Sequence, residues 1–194
     1  MHSRPLALLF LCVLAFGVLG LNEHQAVGFS NEASDEYLDA DSLRVLDTLA
    51  IVTTRSAIED VWGSVDSTVV YDQSERCTNY FYSYCRESYE YAHWQETEVE
   101  LCDERAIFKV LSFESNPDLF VTYPGGFQLS AKTTPADVDD FFPGTADRLR
   151  EVGVHGRGSY DRITLAAEPP PAESAWMLFF EDGRLAFMHY WFPC

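Results

Sequence analysis

Leu49-Ala50-Ile51-Val52-Thr53-Thr54-Arg55-Ser56-Ala57-Ile58-Glu59-Asp60-Val61-Trp62 is echoed further along the chain by Leu129-Ser130-Ala131-Lys132-Thr133-Thr134-Pro135-Ala136-Asp137-Val138-Asp139-Asp140-Phe141-Phe142, at a fixed offset of 80. Leu, Thr, Thr and Asp recur at that offset. Ile58 meets Val138, Glu59 meets Asp139, Val61 meets Phe141 and Trp62 meets Phe142. Each copy reads as an extended segment that ends at Thr-Thr, with the second Thr capping a helix. Pro135 suits a first helical position, and acids suit the first turn. Ile58, Val61 and Trp62 form one apolar stripe at helical spacing, and Val138, Phe141 and Phe142 repeat it. Gly63 and Gly144 follow as terminators.

Strand signals come after each helix. Thr68 to Tyr71, Tyr80 to Tyr84, Ser88 to Trp94 and a long run from Glu98 to Phe113 follow the first. Tyr160 to Ala166, Ala175 to Phe180 and Leu185 to Phe192 follow the second, and the last two flank Asp182-Gly183, a two-residue hairpin signal. The expected class is α+β: two tandem helix-plus-antiparallel-sheet units sharing one sheet, over residues 42–115 and 116–194. Neither unit is large enough to seal a core easily by itself.

The segments before residue 42 read differently. A short positive start with Arg4, an apolar run from Leu6 to Leu19, and Val18 and Gly20 at its end describe a secretory signal over residues 1–20. Residues 21–41 carry six acids and no Lys or Arg, which reads as an acidic disordered leader. The expected location is secreted or periplasmic. Signal cleavage leaves Cys77, Cys85, Cys102 and Cys194, an even count that suggests two disulfides in any of three connectivities. No C-x-x-C pair occurs, so neither a metal nor a cofactor is expected.

The chain of 194 residues has 31 acidic side chains against 13 Lys plus Arg, a formal net charge of -18. Such a surface repels phosphate backbones and anionic membranes and favours a basic protein partner. No H-E-x-x-H, G-x-S-x-G or glycine-rich phosphate loop is present, and the chain is read as non-enzymatic.

Several stretches resemble the secreted β-lactamase inhibitor protein family. Thr53-Thr54-Arg55-Ser56-Ala57-Ile58-Glu59-Asp60-Val61 is similar to its repeated helix start. Cys77 to Cys85, Arg86 and Tyr89-Glu90-Tyr91-Ala92 are similar to its first cysteine pair and the strand after it. Ser174 to Leu185, ending in Trp191, resembles its last hairpin. The second cysteine pair of that family is missing here. The helix-then-hairpin unit is also similar to small envelope assembly lipoproteins and periplasmic immunity proteins. The resemblance implies binding through a concave aromatic sheet face and a plugging loop.

A regular hairpin at Asp182-Gly183 places Trp176 opposite His189, with Phe187 and Trp191 on the same face; Met177, Phe179, Met188 and Phe192 then fall on the other. The candidate partner-binding set is Glu87, Tyr89, Tyr91, His93, Trp176, His189 and Trp191. Tyr, Trp and a carboxylate on an open sheet face suit a basic partner. The resemblance implies that Glu87, Tyr89, His189 and Trp191 are the matching contact positions. It also implies that the role is inhibition of an enzyme such as a β-lactamase, with a cell-wall hydrolase fitting the charge and location as well. An envelope assembly module and an unrecognised secreted hydrolase are the alternative readings.

Overall fold

Thr54 and Thr134 each start a helix, as their shared sequence pattern requires. In this computed structural model, which describes residues 37–72, 80–81, 85, 88–169 and 171–192, α1 is Arg55–Trp62 and α2 is Pro135–Phe141. Each threonine hydroxyl accepts the backbone N–H three residues on, from Ala57 and from Asp137. In α2 the Asp137 carboxylate returns a bond to the Thr134 N–H, closing a capping box with Pro135 at the first position. Those bonds hold the Asp137 carboxyl below its ordinary range. α1 stops at Gly63, whose φ of 79° is open to a residue without a Cβ. Ile58 and Val138 are the residues each helix buries.

Thirteen strands are formed by the described residues. β1 (Arg44–Val45) and β2 (Leu49–Ala50) form a short hairpin, β3 (Val52–Thr54) leads into α1, and β4 (Ser67–Asp72), β5 (Ser88–Trp94), β6 (Thr97–Cys102) and β7 (Arg105–Ser112) follow it. β8 (Phe120–Tyr123) and β9 (Phe127–Ser130) form a second hairpin that leads into α2. β10 (Arg150–Val154), β11 (Gly158–Ala166), β12 (Ala175–Glu181) and β13 (Arg184–Trp191) complete the chain.

Every strand pairing is antiparallel, and the class is α+β. The large sheet runs β10-β11-β12-β13-β7-β6-β5-β4, with β3 also on β7. The four strands after α1 and the four after α2 therefore meet through their last members, β7 and β13. A small sheet runs β2-β1-β8-β9, so the two hairpins that precede the helices meet through their first members. The extended segments expected to end at Thr53-Thr54 and Thr133-Thr134 contain β2, β3 and the end of β9, whereas β1, β8 and β10 show no strand signal in the sequence. The long run from Glu98 to Phe113 is two strands, folded back at Asp103, whose φ is 54°. Tyr80 and Phe81, expected in a strand, lie in a turn; residues 82–84 lie outside the described part.

The fold begins before Leu43. Tyr37 bridges to Ala166, the Leu38 N–H donates to the Ala166 carbonyl at 2.8 Å, and Leu38 and Ala40 are buried. This corrects the expectation of a solvated leader up to residue 41. The core lies between the helix-bearing face of the large sheet and the small sheet. Ile163, Leu178, Met188 and Leu111, successive cross-strand neighbours on β11, β12, β13 and β7, are fully sealed in it. Trp62 leans on Trp94 and Phe108 with ring centroids 6.4 and 5.6 Å away, which ties α1 to the same core. No helix among the described residues is long and apolar enough to cross a membrane.

Candidate functional site

Two β-bulges decide which side chains reach the face of the large sheet turned away from the main core. No helix among the described residues packs on this free face. Asp182-Gly183 makes the expected tight turn, with positive φ at both residues and Glu181 opposite Arg184. One pair further, the register shifts: Phe180 faces Leu185, but Phe179 faces Phe187. Ala186 is the extra residue. Its carbonyl accepts the N–H groups of both Phe113 and Glu114, at 2.8 and 3.0 Å, which fixes the bulge against the end of β7. A one-residue shift turns every later side chain to the other face.

The hairpin faces read from sequence are corrected accordingly. Trp176 lies opposite Tyr190, not His189, and is fully buried in the core, stacked on Tyr190 at 4.3 Å and 12°. Its Nε1 has no hydrogen-bond partner among the described residues. Burial raises the Tyr190 hydroxyl to about 12, against a hydrogen bond with Ser174 that lowers it. Met177 and Phe179, expected toward the helices, are on the free face with Phe187, His189 and Trp191.

A row of paired residues crosses that face. Thr164 (β11), Met177 (β12), His189 (β13), Val110 (β7), Glu98 (β6) and His93 (β5) are successive cross-strand neighbours. All six are half-buried, while the adjacent row on the other face is sealed. A second bulge, with Lys109 as the extra residue of β7, keeps Val110 opposite Glu98 before the register shifts to Val99 and Phe108. Trp191, half-buried, lies two residues beyond His189 on the same face.

Beside the row, Tyr160, Phe179 and Phe187 pack together, with Phe179 and Phe187 stacked at 4.3 Å and Tyr160 edge-on to Phe187 at 5.2 Å. Arg157, on the β10–β11 turn, covers Phe187 at 5.0 Å and reaches Glu114 at 3.3 Å and Glu96 at 3.8 Å. Burial raises the Glu114 carboxyl, and Arg157 opposes the rise. His93, Glu96, Glu98, Val110 and Arg157 line a basin of about 270 Å³. The arrangement offers an apolar floor (Met177, Val110), two imidazoles and one carboxylate, Glu98, within one paired row.

One end of the face is closed by chain. Tyr91, a candidate contact residue, is buried beside Glu100, and this corrects its placement. The Glu100 carboxylate accepts the N–H of Phe81 at 2.8 Å, that of Tyr80 at 3.1 Å and the Tyr91 hydroxyl at 3.5 Å. Burial raises the Glu100 carboxyl; these bonds and buried Lys109 act the other way. Cys85 is disulfide-bonded to Cys102, with Cα atoms 5.9 Å apart. Cys85 is therefore not Cys77's partner, as the family's cysteine pair implied. Cys77, Cys194 and Glu87 lie outside the described residues, as does the side chain of Tyr89.

Of the sequence-predicted set, His93, His189 and Trp191 come together on the free face. Met177, Val110, Glu98 and Arg157 join them there; the bulges that bring Met177 and Val110 into line leave no periodic signal in the sequence. Among the described residues no cluster of His, Cys, Asp and Glu has the grouping of a metal site. Comparison of the chain with protein-family models, curated proteins and solved structures finds no match.

Proposed function

We propose that this is an exported binding protein that docks its uncovered sheet face on a basic protein and acts by occlusion rather than turnover, blocking an enzyme such as a cell-wall hydrolase or a β-lactamase. The observation that carries the reading is the half-exposed row His93, Glu98, Val110, His189, Met177 and Thr164, on a face with its own aromatic cluster and opposite a sealed core. Met, Trp and aromatic side chains held on a stiff sheet are the residue types that anchor interfaces. The net charge of -18 draws a cationic partner to them.

We further infer that residues 42–115 and 116–194 are duplicates of one unit: a hairpin, a Thr-capped helix and a four-stranded meander. The sheet orders β2-β1-β8-β9 and β10-β11-β12-β13-β7-β6-β5-β4 support it, since each pairs like strands of the two halves at its centre. The 80-residue offset between Thr54 and Thr134, both of them helix caps, supports it as well.

The docking reading is tested by titrating a basic cell-wall hydrolase of the lysozyme type with the protein and following substrate turnover. Inhibition that weakens at least tenfold in Glu98→Lys and Trp191→Ala, with unchanged melting temperatures, supports the face as the contact. Inhibition that survives both substitutions places the contact elsewhere.

A further inference from the structure

β4 (Ser67–Asp72) is an edge of the large sheet: it pairs with β5 and, among the described residues, with no other strand. Edge strands are normally blunted by charge, proline or a bulge. This one has no proline or bulge and no charge before Asp72, its last residue, and it pairs with β5 in unbroken register. Val69 is 40% exposed and Val70 63% exposed, on opposite faces of the sheet. The opposite edge, β10, is managed: it carries Arg150 and Glu151, both exposed, and Gly153.

Charge chooses the occupant. Among the described residues, Glu59, Asp60 and Asp66 precede β4 in the sequence, against Arg55, which is paired with Glu59 at 2.9 Å. Glu90, the neighbour of Val70 on β5, adds a partly exposed carboxylate, engaged by Arg55 at 3.8 Å. A second copy of the chain would bring its own charge of -18 to this edge. We infer that β4 takes up an extended segment of a basic protein as an added strand, apolar and β-branched at its centre and lysine- or arginine-bearing at its ends. Backbone bonds to β4 supply the pairing, Val69 and Val70 supply apolar cross-strand contacts, and acids such as Asp66 and Glu90 select the flanks. The inference goes beyond the docking face and shares with it only the charge argument, so variants of the face and of the edge test them separately.

The experiment uses the full chain and two eight-residue peptides with the same β-branched centre, one with lysine and one with glutamate at its ends. Amide hydrogen exchange over Ser67–Asp72 is the readout. The lysine peptide slows exchange of the outward-facing β4 amides about tenfold or more and the glutamate peptide does not. Val69→Lys and Val70→Lys, at exposed positions that leave the melting temperature unchanged, each cut the lysine peptide's affinity about tenfold. A lysine peptide N-methylated at alternate residues gives no protection. Four results overturn the inference: no protection by the lysine peptide, equal binding of the N-methylated peptide, protection at Arg150–Val154 instead, or concentration-dependent protection of β4 without peptide, which would mark self-pairing.

Discussion

Trp176 and His189 lie on opposite faces of the same two-stranded hairpin, although a regular ladder from Asp182-Gly183 would set them side by side. The extra residue Ala186 separates them. Trp176 goes to the core against Tyr190, and His189 goes to the free face against Met177. Trp176→Ala is therefore expected to remove roughly 3–5 kcal/mol of stability. Trp191→Ala is expected to cost about 1 kcal/mol or less, the scale of a partly exposed site, and to weaken docking instead. Urea unfolding of the two variants checks the difference; equal losses would make Trp191 a core residue.

Deleting Ala186 forces a choice between the turn and the faces. Keeping the turn sets Trp176 and His189 on one face, so that either Trp176 is driven toward solvent or His189 into the core. Keeping the faces breaks the tight turn and the double acceptance at the Ala186 carbonyl. A loss of several kcal/mol is expected, on the order of a buried large residue plus a buried hydrogen bond. Ala186→Gly retains the bulge and costs roughly 1 kcal/mol. Thermal melts of the two variants give the comparison, and a mild deletion would show that the bulge does not fix the faces.

The Cys85–Cys102 bridge spans a sequence separation of 17 and ties the Tyr80–Phe81 turn to the end of β6. Cys85→Ser is expected to cost about 3 kcal/mol, mainly through the freed unfolded chain. Hydrogen exchange of the Tyr80 and Phe81 amides, both bonded to Glu100, should quicken more than that of β12 or β13. Uniform quickening would mean that the bridge acts only globally.

Glu100 gives the pH dependence a definite sign. Its folded-state carboxyl is raised above 4.5, so the folded chain holds the proton more tightly than the unfolded chain does. Its contribution is fully present below the unfolded value and is lost as pH rises through the folded one. Stability measured by urea unfolding should fall upward from about pH 4.5 through this group. Glu100→Gln removes that slope and leaves the Tyr80 or Phe81 N–H poorly matched, costing about 1–3 kcal/mol. A variant that keeps the wild-type slope would assign it to another group.

Much of the fold was legible because local chemistry agrees with it. Thr54, Thr134 and Pro135 announce two helix starts, and Asp182-Gly183 announces the last hairpin. Alternation marks β5, β11, β12 and β13. What was not legible is non-local. The small sheet rests on strands of two to four residues, too short to show a period. The faces of β12 and β13 depend on Ala186, whose bulge is set by amides from β7's end. His93, His189 and Trp191 were found by residue type. Trp176 was misassigned because its face is a matter of register. Tyr91 is buried because Glu100, its cross-strand neighbour, also holds the Tyr80–Phe81 turn, an arrangement that strand alternation does not announce.

Hydroxyl-radical footprinting of the protein, alone and with the basic cell-wall hydrolase of the inhibition assay, tests the central claim most directly. Free protein should be oxidised at Met177, His189 and Trp191 and spared at Trp176. The bound hydrolase should protect the first three together, and added salt should reverse protection and inhibition in parallel. Protection confined to other surfaces while inhibition persists, or oxidation of Trp176 in the free folded protein, would contradict the docking face.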